Sequence, residues 1–562
     1  MNKQLIECVP NISEGRDIAK INAIAAVVET VDGVKLLDID PGKATNRTVI
    51  TFVGEPENVI EAAFRLIKKA AELIDMGKHT GEHPRFGATD VCPLVPISGI
   101  TLAETAIFAH KLGERVGKEL GIPGYYYENA ATNEVRKNLA NCRAGEYEGL
   151  KEKLANPAWK PDFGPAEFNE TVAKTGAIAI SSRDFLIAYN VNLNTTSTRR
   201  ANAIAFDIRE AGRVKYENGV SGKAMLDKNR ELIRIPGKLK AVKGIGWYIE
   251  EYGIAQISYN LTNINITPMH IAFDESEKSA IERGLRVTGS ELIGLIPLKA
   301  MLDAGDYFLR KQQRSLGISE AEKIKIAIKS LGLDDLKPFN PKEKIIEYLL
   351  KDDTKKLIDL TVTGFAEETA AESIAPGGGS ISAYVGALGV SLGTMVANLS
   401  AHKAGWDDKW EFYSDWAVKG QAYKNKLLLL VDEDTHAFNK IIDGFRMPKA
   451  TDEEKEARKL AIEKATIYAT EIPFQVMETA FNSMEVMQAM LKEGMQSSIS
   501  DAGVGALCAR TAVVGAYFNV RINAKDIKDR VFAEEIIAKS EVIYKKALAV
   551  EKEVMDFVMS KV

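Results

Sequence analysis

Two closely spaced histidines are the first feature of this chain that could do chemistry. The sequence has 562 residues but only six histidines, and two of them lie in the segment His79-Thr-Gly-Glu82-His83. This spacing fits H-x-x-E-H, in which two histidines and a glutamate serve a metalloprotease. The segment is therefore a metal site, a loop with a catalytic histidine, or a loop whose histidines only complete a hydrogen-bond network.

The residues around this motif argue against a metal site. Histidines at i and i+4 converge on one ion when they share a continuous helix. The helical pattern of residues 58–76 ends just before Gly77, which we place at the helix C-cap, and Gly81 and Pro84 interrupt any further helix. We therefore expect a loop that binds no metal.

In such a loop, His83 has the chemistry needed for proton transfer. Imidazole titrates near neutral pH, and loops on a rigid scaffold often carry catalytic groups. Glu82 precedes His83 and Arg85 follows Pro84, so charged partners lie close in sequence. From spacing alone, catalysis and a structural role both stay open for His83, and a structural role is the simpler interpretation of His79.

The composition is that of a globular protein with several domains. Apolar residues make up 46% and charged residues 27% of the chain, and the formal net charge is −5, without a basic arm. These values disfavour nucleic acid as a partner and favour a small-molecule ligand. The cysteines lack C-x-x-C spacing, which disfavours a disulfide framework or a cysteine zinc site. They are Cys8, Cys92, Cys142 and Cys508.

Two segments bear on where the protein is located. The N-terminus reaches Pro10, Glu14 and Arg16 before a hydrophobic segment could develop, so we expect no signal peptide and a cytoplasmic protein. Between Glu372 and Lys403 no residue is Asp, Glu, Lys or Arg, and this length could cross a bilayer. Its glycine and serine residues and the lack of aromatic belts favour a buried helix instead of a membrane span.

The distribution of proline divides the chain into a mixed region and a helical region. Of the 18 prolines, 15 lie at or before Pro341, and the remainder contains long helical patterns such as 452–469 and 533–559. We predict a two-lobed α/β or α+β region followed by an all-α domain. The predicted boundaries are 1–180 and 181–330 for the two lobes, 331–341 for a linker and 342–562 for the helical domain.

Within the first region, short strand patterns alternate with helical patterns. We predict strands at 33–40 and 47–54, a helix at 58–76, a strand within 185–193, a helix at 198–209, and two strands that turn at 250–253. A cleft between two such lobes is a favoured place for a ligand.

Several segments of the first region resemble the glutamate formiminotransferases. In chain order they are ECVPNISEGRD, LLDIDPGKATNRTVITFVG, LIDMGKHTGEHPRFGATDVCPLVPI, RAGEYEGL, PAWKPDFGP, KAVKGIGWYIEEYGIAQISYNL and GSELIGLIPLKAML. The resemblance implies transfer of a formimino group from N-formimino-L-glutamate to tetrahydrofolate. It also implies that His83, in the segment GEHPR, is the proton-transferring catalyst.

An imidazole suits this reaction. The N5 amine of the folate attacks the formimino carbon, His83 accepts the proton of that amine, and the imidazolium then protonates the departing glutamate nitrogen. A carboxylate could orient the imidazole, and Asp40 of LLDIDPG is our candidate. A turn-forming aspartate before Pro41 and Gly42 is an equal alternative for Asp40.

Four arginines are candidates for binding the glutamate carboxylates that both substrates carry. They are Arg47, Arg85, Arg143 and Arg183, and each could instead be solvated or paired within the protein. The resemblance also implies a folate-contacting connection between the lobes that includes Gly164, Pro165 and Gly176.

Three consecutive glycines, Gly377, Gly378 and Gly379, precede an apolar helical pattern. Amides at a helix N-terminus attract anions, but the phosphate-loop pattern is missing, so a flexible helix entry is the alternative. The segments APGGGS, LVDEDTHAF, the Met-Pro that follows and GAYFNVRINAKDIKD resemble the formiminotetrahydrofolate cyclodeaminases. This resemblance implies that the glycines contact folate and that Asp434 is catalytic.

Asp434 belongs to the run Asp432-Glu433-Asp434, which by itself is typical of a solvated acidic helix face. In the implied reaction, folate N10 attacks the formimino carbon on N5, the ring closes and ammonia leaves. One carboxyl group with a pKa raised by burial could accept the N10 proton and then protonate the leaving amine. The position in the motif selects Asp434 over its neighbours.

Together, the two resemblances imply an enzyme of histidine degradation and one-carbon metabolism that makes 5,10-methenyltetrahydrofolate. They imply tetrahydrofolate, polyglutamylated in the cell, as a cosubstrate, no metal, and a homo-oligomer such as a ring of dimers. One alternative is a formiminotransferase whose helical domain is a cyclohydrolase-like or assembly module. Another is a non-catalytic folate-binding scaffold.

Overall fold

The computed structural model describes residues 4–43, 45–81, 85–219, 222–228, 230–350 and 356–562. The chain divides into two compact units, of which the first consists of Met1–Ala300 and Leu331–Lys351 and the second of Met301–Ser330 and Asp352–Val562. The first unit contains the described sheets and the second is helical, as the distribution of proline predicts. Residues 301–330, which we assigned to the second lobe, group with the helical unit.

The described strands are numbered in chain order. They are β1 (Leu5–Cys8), β2 (Asn11–Ile12), β3 (Val34–Gly42), β4 (Arg47–Gly54), β5 (Thr89–Ser98), β6 (Gly124–Glu128), β7 (Ile178–Ser182), β8 (Ile187–Leu193), β9 (Arg213–Val214), β10 (Arg234–Ile235), β11 (Val242–Ile249), β12 (Ile254–Leu261) and β13 (Val287–Ile293).

The described α-helices are numbered in the same way. They are α1 (Ile18–Ala25), α2 (Pro56–Leu73), α3 (Leu102–Arg115), α4 (Leu139–Arg143), α5 (Leu150–Ala155), α6 (Glu170–Thr175), α7 (Thr198–Ile208), α8 (Met269–Ile281), α9 (Leu298–Lys311), α10 (Glu320–Leu331), α11 (Pro341–Lys344), α12 (Ile346–Leu349), α13 (Val362–Ala370), α14 (Gly378–Ala401), α15 (Trp410–Arg446), α16 (Asp452–Glu493), α17 (Ile499–Ala524) and α18 (Arg530–Met559).

The first lobe is built on a mixed sheet. β1 and β2 lie one after the other between β4 and β5, and Pro10 separates them because proline has no N–H to donate to the sheet. β3 pairs with the outer side of β4, and β7 and β6 continue the sheet beyond β5 as parallel strands. Ile6, Cys8, Ile50 and Phe52 on one face belong to the core formed with the helices of this lobe.

The opposite face of this sheet carries the polar groups of the site. A bulge between Leu36 and Asp38 in β3 shifts the alternation of side chains by one residue. Leu36 therefore pairs with Phe52 on the helix-covered face, whereas Asp40 pairs with Val49 on the opposite face. The bulge thus places the side chain of Asp40 on the face that lines the cavities described below.

The second lobe is an antiparallel sheet with the order β11-β12-β8-β13. Tyr259 and the other apolar residues of one face are buried, and the Tyr259 hydroxyl lies 2.9 Å from Ser276 Oγ on α8. The other face is polar, and Gln256 Nε2 donates to Asn192 Oδ1 at 2.8 Å. Asn192 in turn donates to Asp335 at 3.2 Å, so part of the predicted linker packs on this sheet.

The second unit is a helical bundle in which α14, α15, α16, α17 and α18 pack on one another. Small residues let α14 and α17 approach closely, because a Cβ added to Gly389 would lie 2.7 Å from the carbonyl oxygen of Gly505. Among the described helices, α14 and the segment Gln496–Ala524 are long and apolar enough to cross a membrane by length and composition. Both also contribute side chains to the core of the bundle.

Most of the predicted elements are confirmed. The strands expected at 33–40 and 47–54 are β3 and β4, the pattern within 185–193 is β8, and the turn at 250–253 joins β11 to β12. The helix expected to end at Met76 ends at Leu73 instead, because the buried residue Ile74 is extended. Gly77 therefore lies in the turn after the helix and is not its C-cap.

Candidate active sites

The described part of the histidine motif is not helical. His79 is buried, and its Nε2 lies 2.9 Å from the carbonyl oxygen of Asn46. Burial lowers the pKa of His79, which suits a neutral imidazole that connects two loops. Gly81 packs on the same loop, since an added Cβ would lie 2.5 Å from the Thr45 carbonyl oxygen.

The candidate catalyst belongs to the second half of this motif. Glu82, His83 and Pro84 lie outside the described residues, so the role of His83 stays a prediction. Within the described ranges, no group of three or more His, Cys, Asp or Glu side chains could hold a metal ion.

A buried carboxylate that follows this motif in the sequence forms ion pairs with two arginines. Asp90 on β5 is fully buried. Its Oδ2 accepts a hydrogen bond from Arg47 and also lies 3.0 Å from Nη2 of Arg143. Its Oδ1 accepts the backbone N–H of Phe86 at 2.9 Å, and Arg47 Nε donates to Asn11 Oδ1 at 3.0 Å. Without Asp90 the two guanidinium groups would lack this shared counter-charge, so Asp90 fixes their positions.

Arg47 and Arg143 line a cavity of about 360 Å³, which we call the basic pocket. Its wall also carries Arg183 from the end of the first lobe and Lys243 from β11 of the second lobe. Glu128 is the carboxylate among its lining residues. Four cations thus face this carboxylate and the buried Asp90, which leaves an excess of two positive charges and suits carboxylate ligands.

A neighbouring cavity of about 200 Å³, which we call the acidic pocket, shares Arg183 and three other wall residues with the basic pocket. Two carboxyl groups line the acidic pocket, Glu7 from β1 and Asp40 from β3. Asp40 lies within β3 and not at its end, since the strand continues to Gly42. The two pockets together form a cleft with opposite charges on its two sides.

Glu7 has unusual electrostatic properties. Its side chain lines a cavity although the residue is only 4% exposed. Burial raises its pKa to about 7, while Arg183 opposes this shift and Glu347 adds to it. A carboxyl group that titrates near neutral pH in the wall of a cavity is a candidate functional group.

The other predicted residues of the first unit have structural contacts of their own. Arg85 pairs with Glu148 at 2.6 Å. Gly164 has a positive φ, and an added Cβ there would lie 2.3 Å from the Ile122 carbonyl oxygen. At Gly176, which also has a positive φ, the corresponding distance to the Phe86 carbonyl oxygen is 2.4 Å. Tight packing therefore requires glycine at both positions, whatever their contact with a ligand.

Pro165, the third residue predicted in this connection, is half-buried next to Gly164. It belongs to the irregular segment between Trp159 and α6. The structure thus brings Arg47, Arg143 and Arg183 together with Asp40 around one cleft, and it gives Arg85 a separate ion pair.

In the second unit, Asp434 lies on α15 and faces the start of α14. Its Oδ2 accepts hydrogen bonds from the backbone N–H of Ser380 at 2.8 Å and from Ser380 Oγ at 3.0 Å. A Cβ added to Gly379 would lie 2.1 Å from Asp434 Oδ1, so this glycine is required for the approach of the carboxyl group. A Cβ added to Gly378 would lie 3.3 Å from the side chain of Asn519, whereas one added to Gly377 would meet open space.

The three acidic residues of this run have different partners and do not form one solvated face. Asp432 Oδ1 accepts the backbone N–H of Leu357 at 2.7 Å. Glu433 accepts a hydrogen bond from the Tyr468 hydroxyl. Burial raises the pKa of Asp434, and the hydrogen bonds from Ser380 oppose the shift. A raised pKa favours a group that acts first as a base and then as an acid.

The sequence analysis did not identify Glu7 or Asp90. In LIECVP, the acid lies between Ile6 and Cys8, which point to the core, and a strand with alternating faces would place it on the other side. Asp90 opens the apolar run DVCPLV. The sequence therefore shows both acidic residues. It does not show which side chains they meet, because that depends on the order of the strands in the sheet.

Comparisons with known proteins agree with this division into two regions. Residues 5–183 match the family described as "Formiminotransferase domain, N-terminal subdomain", residues 188–351 match "Formiminotransferase domain", and residues 361–542 match "Formiminotransferase-cyclodeaminase". A formimidoyltransferase-cyclodeaminase of Mus musculus is 42% identical over 534 residues, which cover 95% of this chain and 94% of that one.

Two shorter relatives match one region each. A glutamate formimidoyltransferase of Streptococcus pyogenes serotype M1 is 40% identical over 307 residues, 55% of this chain and 94% of its own length. A methenyltetrahydrofolate cyclohydrolase of Methylorubrum extorquens is 32% identical over 202 residues, 36% of this chain and 97% of its own length. A charged cleft in the unit that contains the sheets and a half-buried carboxyl group in a helical unit thus define an enzyme with two domains. The chain belongs to the formimidoyltransferase-cyclodeaminase family.

Proposed function

We propose that this enzyme transfers the formimino group of N-formimino-L-glutamate to tetrahydrofolate and then cyclises the product to 5,10-methenyltetrahydrofolate with release of ammonia. The observation that carries the proposal is the presence of one candidate site in each compact unit. The first unit has a cleft with cationic and acidic sides, and the second has Asp434 at the start of a helix. These two sites suit the two chemical steps.

In the first step, His83 is the base. It accepts the proton of folate N5 while N5 bonds to the formimino carbon, and it then protonates the glutamate nitrogen as the old C–N bond breaks. Asp40 orients the imidazole, and its position on the cleft face of β3 supports this role. Arg47 and Arg85 bind substrate carboxylates, and for Arg47 the support is its place in the basic pocket.

In the second step, Asp434 moves the protons. As folate N10 bonds to the formimino carbon, the carboxylate accepts the N10 proton, and the carboxylic acid then protonates the amine that leaves as ammonia. Burial supports this exchange because it brings the pKa of the carboxyl group closer to neutral pH. The glycines Gly377, Gly378 and Gly379 let the folate approach the backbone at the start of α14.

The family also supports proposals about the ligands and the setting. Gly164, Pro165 and Gly176 contact the folate, which is polyglutamylated in the cell, and no metal takes part. The enzyme is a cytoplasmic homo-oligomer, a ring of dimers, without a membrane span. It acts in histidine degradation and one-carbon metabolism.

The cyclohydrolase relative favours one other candidate for the second unit. A methenyltetrahydrofolate cyclohydrolase, as that relative is named, would add water to the methenyl bridge where a cyclodeaminase would form it. The same carboxyl group could serve both reactions, because each needs a proton to be moved at the folate carbon. Ammonia distinguishes the two, since only the cyclodeaminase reaction releases it.

An assay of both products tests the proposed function. The purified protein is incubated with N-formimino-L-glutamate and tetrahydrofolate while methenyltetrahydrofolate absorbance and ammonia are measured together. We expect both products in equal amounts from the natural chain, 5-formiminotetrahydrofolate without ammonia from Asp434→Asn, and neither product from His83→Ala. Transfer without ammonia in the natural chain would contradict the second activity, and folate binding without any turnover would support a scaffold.

A further inference from the structure

The two pockets of the first unit separate positive from negative charge along one cleft. The acidic pocket has Glu7 and Asp40 in its wall, and the basic pocket has Arg47, Arg143 and Lys243. Arg183 lies in the wall that the two pockets share. A ligand that lies across this shared wall would therefore meet carboxyl groups at one end and cations at the other.

The formimino donor has the complementary distribution of charge. Its formamidine group is a strong base that carries a proton at neutral pH, so this end is a planar cation with N–H donors. Its other end carries the two carboxylates of glutamate. A planar amidinium can form paired hydrogen bonds with a carboxylate in the manner of a guanidinium group, and such charged pairs are stronger than neutral ones.

We propose that N-formimino-L-glutamate lies across the shared wall, with its formamidinium group on Glu7 and its carboxylates in the basic pocket. Glu7 is then the residue that distinguishes the cationic formimino group from a neutral formyl group of the same shape. This inference rests on the proposed transferase function, and it names the donor subsite of that cleft.

The position of Glu7 supports this role. Glu7 pairs with Val53 on one side and Val95 on the other, so two flanking strands hold its backbone. Arg183 is the cation that acts on its carboxyl group, and it also lies at the boundary with the basic pocket. The carboxyl group is thus fixed, nearly excluded from water and open to the acidic pocket, which are the conditions in which a charged hydrogen bond is strongest.

A comparison of two ligands tests the assignment. N-formyl-L-glutamate keeps both carboxylates but replaces the amidinium by a neutral amide. In the transfer assay at pH 8, the KM of N-formimino-L-glutamate is compared with the inhibition constant of N-formyl-L-glutamate as a competitor. We expect the natural chain to prefer the formimino compound by about 10- to 100-fold, the contribution of one charge-assisted hydrogen bond.

The variant Glu7→Gln keeps the shape of the side chain and removes its charge, so the preference should fall to within about threefold. Glu7→Asp keeps the charge and should retain part of the preference. Glu128→Gln is the matched control, because Glu128 lines the basic pocket and its loss should change the affinities of both ligands alike. If Glu7→Gln no longer turns over, calorimetric binding of the two ligands to the folded variant gives the same ratio.

The failures of the two proposals differ. A natural chain that transfers no formimino group refutes the proposed function. A natural chain that transfers it, with the same ligand preference in Glu7→Gln, refutes only the donor subsite. The assignment would also be overturned if Glu128→Gln lost as much of the ligand preference as Glu7→Gln. That result would mean that the overall charge of the cleft, and not Glu7, determines the preference for the formimino compound.

Discussion

The two units place a carboxyl group with a raised pKa in contrasting surroundings, buried at Glu7 and half-buried at Asp434. In the first unit, Glu7 faces a cavity that adjoins a cluster of guanidinium groups. In the second unit, Asp434 faces the first turn of α14, and its hydrogen bonds come from a backbone amide and a hydroxyl group. Burial raises the pKa of both carboxyl groups, although different neighbours oppose the shift.

This difference corresponds to the two proposed steps. The transferase step must bind a small donor that carries both signs of charge, and fixed ionic side chains provide its orientation. In the cyclodeaminase step the reacting carbon is already attached to folate, so the protein has to move protons at a fixed place. A single carboxyl group between helices is sufficient for that, and its acidity depends on how well it is buried and how many donors it meets.

The largest effect that separates the two sites is expected from Gly379→Ala. The added Cβ would lie 2.1 Å from Asp434 Oδ1 and must displace the carboxyl group. A misplacement of about 1 Å lowers a catalysed rate by about 100-fold, so deamination should fall by this factor while formimino transfer is retained. Rates of ammonia release and of 5-formiminotetrahydrofolate formation measure the two steps separately.

Gly377→Ala refines this prediction, because no protein atom lies within 4 Å of the Cβ that it adds. A loss of deamination in this variant would report a clash with bound folate instead of a shift of Asp434. Equal rates in Gly379→Ala and the natural chain would contradict the assignment of Asp434.

The site at Asp434 could be predicted only in part from the sequence. The motif identified Asp434, but its partner Ser380 lies 54 residues away in sequence, and only the packing of α14 on α15 joins them. Helix propensity predicts each helix by itself. It does not predict which turn of one helix meets which turn of the other, because that depends on close contacts such as the one at Gly379.

The first unit shows the same limit in its sheet. The periodic patterns predicted β3 and β4 correctly, yet the bulge between Leu36 and Asp38 decides which face Asp40 occupies. Strict alternation would place Leu36 and Asp40 on one face. Asp90 and Arg143 likewise meet through tertiary packing, so the arginines could be proposed from sequence but not their shared carboxylate.

The next largest effect is expected from Asp90→Asn in the first unit. Arg47 and Arg143 would lose a buried counter-charge, which should lower the free energy of unfolding by about 3 kcal/mol and raise the donor KM by about 10-fold. Chemical denaturation and the transfer assay measure these two quantities. Asp162→Asn is the matched control, because Asp162 pairs with Arg136 in the same lobe. Its loss should destabilise the lobe without the change in donor KM.

A smaller effect concerns the stability of the first unit as a function of pH. The pKa of Glu7 is about 7 in the folded chain, above the value of 4.5 for a free glutamate, with Arg183 and Glu347 acting on it and Asp40 in the same pocket. A raised pKa of an acid means that stability is lost as the pH rises from 4.5 to 7. Glu7→Gln should remove this loss.

Thermal unfolding at two pH values measures this effect. At pH 8, Glu7→Gln should be more stable than the natural chain, and the gain should exceed that at pH 5 by about 2 to 3 kcal/mol. Glu7→Asp, which keeps an ionisable group, should follow the natural chain. A gain that is independent of pH would show that Glu7 is not the titrating group.

The smallest effect is expected from Ser380→Ala in the second unit. The hydroxyl group donates one of the hydrogen bonds that lower the pKa of Asp434, and the backbone N–H would remain. The pKa of Asp434 should therefore rise further, because one of the two donors that favour the ionised carboxylate is lost. Because the ionised form accepts the N10 proton, the acid limb of the deamination rate should move to higher pH. The pH profile of transfer should not change.

The central claim is that each unit carries one complete and separate site. A mixture of His83→Ala and Asp434→Asn tests this claim most directly, because each variant should fail to release ammonia from N-formimino-L-glutamate and tetrahydrofolate when it is alone. We predict that the mixture releases ammonia, since the product made by Asp434→Asn can be used by the intact second unit of His83→Ala. A mixture that accumulates 5-formiminotetrahydrofolate and releases no ammonia would contradict the account.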